Sequence, residues 1–316
     1  MPDTPSEVPS PSETFRIAPL LALYSEIDSH PVADGSLERV PSEARWAIFP
    51  KTRGNLLGLP DFINLEWTHA FRTDGSGHEM TFIRAARVVL GTPVIVGGAC
   101  FVYRHDPSTV APLGSVSHPE LLGTLWPTAM PNSVARVDVN ACERMTEVAA
   151  LIQRAESDNE ISFAMDQLLR GDAATSGPRK IFEYTVGLEA LLLEDAGELR
   201  FRFAATLAEV LGLAPDHGRR EWFERGLDMY RRRSEYANGD RRRRPSLSDI
   251  RTARLALRLA LGVGLLARGE SWRDRRRDIY RELLDGSAVY SSAVKRAAEL
   301  LDPDISSWRG LLGVEP

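Results

Sequence analysis

Apolar and polar positions follow two different rhythms along this chain, and the change comes near residue 140. Before it, apolar residues cluster in short runs rich in β-branched and aromatic side chains, at 45–50 (RWAIFP), 62–67, 80–90 and 92–103. Turn-forming residues separate them, as in TDGSGH at 73–78 and YRHDPS at 103–108. Such runs predict short strands, so residues 15–139 read as a strand-leaning mixed domain.

After Asn140 the apolar spacing lengthens to the three-to-four-residue period of amphipathic helices. Asn140 is placed to cap a helix running to Arg154, and a second helix covers 160–169 and ends at Gly171. Residues 171–178 (GDAATSGP) read as a loop. The next helix, 179–193, carries Ile181, Thr185, Leu188 and Leu192 in one stripe, flanked by Tyr184 and Leu191. Helix 198–213 follows with Leu199, Phe203, Leu207, Val210 and Leu211 at helical spacing, and helix 219–233 places Phe223, Leu227 and Tyr230 on one face. Ser246, with Asp249 three residues on, has capping-box character and opens a strongly apolar helix to Ala267. Shorter helices at 273–284 and 291–301 close the pattern. The fold class expected is α+β: a mixed N-terminal domain over 15–139, then an all-α bundle over 140–303. A disordered tail, 1–14, rich in Pro, Ser and acid, and a C-terminal tail, 304–316, flank them.

Composition adds modest limits. The chain has 316 residues, 43% hydrophobic and 26% charged, enough for two globular domains. Two cysteines, Cys100 and Cys142, make no disulfide framework and fit a reducing, cytoplasmic compartment. The first fourteen residues lack a basic or apolar targeting segment. The longest uncharged stretch, the sixteen residues 88–103, contains Pro93 and is short for a membrane span, so a buried pair of strands is expected and no membrane partner. Histidines 30, 69, 105 and 118 are scattered singly, no CxxC is present, and no P-loop, GxSxG or HExxH occurs. No metal site and no cofactor is expected.

Charge changes the picture more. The formal net charge is −5, yet residues 231–281 hold sixteen Arg, no Lys and six acids, a local +10 against −15 elsewhere. Such an asymmetry fits an anionic partner. Equally, a chain with thirty-six Arg and three Lys uses Arg wherever a solvated positive face is wanted.

Three segments in order carry a family resemblance: KIFEYTVGLEALLLED at 180–195, ELRFRFAATLAEVLG at 198–212 and YRRRSEYANGD at 230–240. The first resembles the "LEALL" helix of the Apea-like branch of the HEPN superfamily, with Leu188, Glu189, Ala190, Leu191 and Leu192 in the matching places. The second is similar to the family's next helix. The third resembles its Tyr, Arg-Ser and His-Gly element. The resemblance spans 178–270, under a third of the chain, and implies a HEPN-like helical bundle.

It also implies a site. The family's ribonucleases pair an Arg with a His one to two helical turns later, two such motifs facing one cleft in a dimer, and cleave RNA without metal. Carried over, Arg233 takes the Arg position, Ser234 the polar position, and Asn238, followed by Gly239, stands where the His belongs. Histidine can accept and return a proton near neutral pH, and a side-chain amide cannot. The missing general acid–base step is worth about 10²–10⁴-fold. Arg233 keeps a fork suited to phosphate. Glu189 is either a further cleft residue or a helix-surface charge, and Tyr236 either stacks on a base or packs. His217 lies sixteen residues before Arg233, about 20 Å along a helix. Arg72 and His78 match the spacing in a Gly-rich segment, by chance.

Three functions follow. The first is a HEPN-like RNA-binding protein with a degenerate site at Arg233 and Asn238, its RNA held by Arg233 and by Arg241, Arg242, Arg243 and Arg244, as a homodimer in defence or stress physiology. The second is a working metal-independent endoribonuclease. The third is a non-catalytic dimerisation and protein-interaction scaffold.

Overall fold

The computed structural model describes residues 15–21, 23–40, 68–73, 78–91, 95–96, 99–103, 114–117, 135–193, 199–211, 218–239, 244–266 and 288–301. Strands dominate the first part and helices the second. The expected strands at 45–50 and 62–67, the helix at 273–284 and both tails lie outside the described residues.

The strands are β1 (Phe15–Leu21), β2 (Leu23–Tyr24), β3 (Ser29–Val32), β4 (Gly35–Arg39), β5 (His69–Thr73), β6 (Ile95–Val96), β7 (Ala99–Tyr103), β8 (Gly114–Ser117) and β9 (Ala135–Arg136). One antiparallel sheet runs β3-β4-β5-β1-β7-β8, with β6 also on β1, while β2 and β9 form a separate parallel pair. The apolar run 88–103 is therefore not a simple strand pair: its first residues end a helix, and β6 and β7 each pair with β1.

The helices are α1 (His78–Val89), α2 (Val139–Arg154), α3 (Asn159–Ala173), α4 (Gly177–Leu192), α5 (Leu199–Leu211), α6 (Arg219–Ala237), α7 (Leu247–Leu266) and α8 (Ala288–Leu301). The strand expected at 80–90 is helix α1. Phe82, Ile83, Ala85, Ala86, Val88 and Val89 are all buried while Met80, Thr81 and Arg84 are partly exposed at helical spacing, a period that the β-branched Thr81, Ile83, Val88 and Val89 disguise as strand. Glu79 in its first turn and Arg87 in its last complement the helix dipole. Phe82 stacks on Phe71 of β5, ring centroids 4.2 Å apart, joining α1 to the sheet.

Local chemistry sets the other boundaries. Asp138, not Asn140, caps α2 by accepting from the Ala141 amide at 2.7 Å. The Thr146 hydroxyl on α2 accepts from the amide of Ala33, whose φ of 51° turns the β3–β4 hairpin. Asp158 caps α3 from the Glu160 and Ile161 amides. Ser246 and Asp249 form the reciprocal capping box, at 3.1 and 2.7 Å. The expected stripe of α4 is buried throughout. On α6 the buried residues are Trp222, Gly226 and Met229, and the expected Phe223, Leu227 and Tyr230 are only partly covered.

Helix α7 lies at the centre and packs against α1, α2, α3, α4, α5 and α8. Every residue from Thr252 to Leu265 is buried, including Arg254 and Arg258. One turn apart, these two arginines share a face. Arg254 donates to the carbonyls of Arg87, Leu90 and Gly91 at 3.2, 3.2 and 2.7 Å. Arg258 donates to Val88 and Val89 at 2.7 and 2.6 Å, and to Leu301 at the end of α8 at 3.2 Å. The last carbonyls of a helix have no partner within it, and two guanidiniums satisfy those of α1.

Asp172, near the end of α3, balances this charge from inside. It accepts from Arg254 at 2.7 and 3.1 Å, from Arg87 at 3.0 Å and from the Tyr184 hydroxyl at 2.8 Å. Gly171 makes room, because a Cβ there would stand 2.2 Å from the Tyr184 ring. The expected loop at 171–178 is accordingly helical to Ala173. Burial alone would raise the Asp172 carboxyl, but Arg254, Arg87 and the hydrogen bonds from Arg254 and Tyr184 hold it well below the usual carboxylate range.

Removing one partner of a buried, hydrogen-bonded ion pair typically costs about 3–5 kcal/mol. Arg254→Met is expected to lower the urea-unfolding free energy by about that amount, whereas Arg251→Ala, at an exposed site, changes it by less than about 0.5 kcal/mol. Asp172 has a depressed folded-state pKa, so its stabilisation is present above the ordinary carboxylate pKa of about 4 and is lost as pH falls below it. A pH series of unfolding midpoints should show a steep acid limb in the wild type and a flatter one in Asp172→Asn.

Candidate functional site

The resemblance singles out a face formed by α4 and α6, which pack together. Glu189 lies near the end of α4, one turn before the helix yields to the extended residue Leu193. Arg233 lies in the last turns of α6, a helix bound along its length by ion pairs. Arg225 pairs with Glu221 at 2.6 Å, Arg231 with Asp228 and Glu235, and Arg232 with Asp228 at 2.6 Å and with Asp249 of α7 at 3.2 Å. The pairs within α6 support the helix, and Arg232–Asp249 links it to the start of α7.

Arg233 and Glu189 meet. The guanidinium Nη2 donates to Glu189 Oε2 at 3.0 Å, with the two side chains 29% and 17% exposed. The guanidinium carbon also lies 5.8 Å from the ring centroids of both Phe182 and Tyr230, within range of a cation–π contact. Phe182 in turn packs against Tyr236 at 5.3 Å, and Tyr230 against Phe203 of α5 at 5.7 Å. Tyr236 is thus in an aromatic packing contact. Arg233 Nε and Glu189 Oε1 are buried atoms without a hydrogen-bond partner among the described residues. Burial pushes the Glu189 carboxyl up, and the Arg233 charge and hydrogen bond oppose that rise. Burial and the nearby Glu189 push the Tyr230 hydroxyl up as well.

Asn238 stands apart from this pair. It is the exposed C-terminal cap of α6, its amide donating to the Ser234 carbonyl at 3.0 Å, and Gly239 follows with φ +80°. That left-handed residue ends the helix where a glycine is the natural choice. Five helical residues rotate a side chain by about 140°, so Arg233 and Asn238 leave the helix in different directions. Arg233 turns toward α4.

The sixteen arginines of 231–281 do not form one surface. Arg231, Arg232 and Arg233 are paired to acids within the chain, and Arg254 and Arg258 are buried on carbonyls. Arg244 and Arg251 are exposed. The other nine, Arg241, Arg242 and Arg243 among them, lie outside the described residues, as does His217. None of the described histidines is on α4, α5 or α6. His69 is buried between Ile27 and Thr68, and burial lowers its pKa. Arg72, on β5, pairs with Glu38 at 3.6 Å, and His78 begins α1 with Nδ1 3.4 Å from the Thr73 hydroxyl.

The buried cluster of Arg87, Asp172, Tyr184, Arg254 and Arg258 escaped the sequence reading, although two arginines one turn apart inside an apolar helix are a visible signal. Cys142 is also buried, and burial pushes its thiol up to about 12, which disfavours the reactive thiolate. Among the described residues no group of three His, Cys, Asp or Glu is placed to hold a metal ion. No helix among them is long and apolar enough to cross a membrane.

If the Arg233–Glu189 contact compensates for burial of the carboxylate, Arg233→Ala leaves Glu189 uncompensated, at a cost of roughly 1–3 kcal/mol. Glu189→Gln added to Arg233→Ala should recover most of that loss in urea denaturation. Independent, additive losses would show that the pair is uncoupled.

Compared with known proteins, the chain matches no family model, no curated protein and no solved structure.

Proposed function

We propose that this chain is a HEPN-like helical protein of the cytoplasm that holds RNA, as a homodimer, without cutting it. The observation that supports the loss of cleavage is the chemistry around Arg233. Its nearest ionisable partner is Glu189, bound to it in an ion pair, and the position that would supply a histidine is an exposed asparagine at a helix end. Asn238 cannot accept and return a proton as an imidazole does, and the Glu189 carboxylate, a candidate base, has one oxygen bonded to Arg233 and the other buried. The support for RNA is the basic run that ends in exposed Arg244, together with the motif order. RNA phosphate at Arg233 itself would have to share the guanidinium with Glu189, so the run 241–244 supplies most of the affinity in this reading.

A second reading has an observation of its own. Arg233 is ion-paired within the chain, and Phe201 of α5, 60% exposed, lies edge-on to Phe223 of α6. Both suit a protein-interaction scaffold in which the arginines are solvated or structural.

Fluorescence anisotropy with a single-stranded RNA, read from low to high salt, separates the two. The RNA reading expects affinity that falls steeply with salt, and a loss of at least roughly tenfold when Arg241–Arg244 are all changed to Glu. No binding at low salt favours the scaffold. Gel assays without metal should show no cleavage by the wild type. Cutting above background that Arg233→Ala abolishes would instead identify a working endoribonuclease.

A further inference from the structure

A cleft of about 590 Å³ opens between α1, α3 and the start of α4, away from the Arg233–Glu189 contact. Three arginines converge on it from three elements: Arg84 of α1, Arg170 of α3 and Arg179 of α4. Arg84 pairs with Asp166 at 3.1 Å and Arg179 with Glu183 at 3.3 Å. Arg170 is exposed and has no ion-pair partner among the described residues. The carbonyls at the end of α3, which would repel an anion, are covered: Lys180 Nζ donates to Gly171 and Asp172 at 3.3 and 3.1 Å. Asp166 also lines the cleft, so three guanidiniums face one carboxylate and leave a net positive charge, and the guanidinium fork matches phosphate oxygens.

Arg84 also lines a second cleft, of about 370 Å³, directly alongside. Its lining is mixed: Ile152, Ala155, Ile161 and Met165 are joined by His78, Thr81, Gln153, Glu156 and Ser162. Both volumes lie in the range of small-molecule sites, about 300–1,000 Å³. Hydrogen-bonding side chains beside a few apolar ones suit a polar heterocycle such as a nucleobase, and the adjoining arginines suit its phosphates.

We propose that these two neighbouring clefts, which share Arg84, bind a nucleotide, with its phosphates among Arg84, Arg170 and Arg179 and its base beside Gln153 and Ser162. This site is independent of the RNA reading, because it shares no residue with Arg233 or with 241–244.

Isothermal titration of the full chain with ADP, adenosine and pyrophosphate tests it. ADP should bind, adenosine should bind at least tenfold more weakly, and pyrophosphate should also be weaker than ADP. Arg170→Glu with Arg179→Glu, both on exposed side chains, should weaken ADP at least tenfold. Ser162→Trp, which fills the second cleft, should weaken ADP and leave pyrophosphate unchanged. Charge reversal at Arg241–Arg244 should leave ADP affinity unchanged, which separates this site from the RNA surface. Unfolding curves verify that each variant is folded, and Arg170→Gln alone carries the test if the double variant is not. No ADP binding at millimolar concentration, or binding indifferent to the Arg170 changes, overturns the site. Pyrophosphate binding as tight as ADP overturns the role of the second cleft.

Discussion

Two guanidiniums inside an apolar helix set the terms for the rest of this structure. Arg254 and Arg258 reach from α7 to the carbonyl end of α1, and Arg258 reaches the end of α8 as well. Backbone carbonyls buried without donors are costly, and so are buried cations without partners. Each solves the other's problem, and Asp172 supplies the counter-charge. The consequence is architectural. Helix α1, which lies among the strands in sequence, is held on α7, and the sheet follows it through the Phe71–Phe82 stack.

The same chemistry bears on function. A count of arginines suggests a large cationic face, but the geometry assigns several of them to internal duties. Arg231 and Arg232 brace α6, Arg233 compensates Glu189, and Arg254 and Arg258 cap a helix. The RNA surface we propose therefore draws on fewer arginines than the charge of 231–281 implies. Arg84, Arg170 and Arg179, scattered in sequence across nearly a hundred residues, make the more concentrated cationic cleft.

Legibility in the sequence followed physical lines. Helices with one wet and one dry face were readable: the expected stripe of α4 is buried, as are Phe203, Leu207, Val210 and Leu211 of α5 though not Leu199, and the capping box at Ser246 and Asp249 forms as its spacing predicts. Helix α1 reads as strand because Thr81, Ile83, Val88 and Val89 are β-branched and its polar side is only a few residues wide. On α6 the face was misjudged because Trp222, beside charged neighbours, is the residue that goes fully inside. At the candidate site, Glu189 and Arg233 were both singled out and they touch. Their ion pair was hidden, since residues 44 apart declare no contact by spacing. The network around Asp172 joins positions from 87 to 258, and only packing reveals it.

The central claim is that carbonyl capping by Arg254 and Arg258 makes α1 one cooperative unit with the helices after it. Native-state amide hydrogen exchange measures this directly, because segments that open together exchange with the same free energy. The slowest amides of α1 should match those of α7 and fall with them as denaturant is raised. Amides of α1 that exchange at a much lower free energy, while α7 remains protected, would contradict the account.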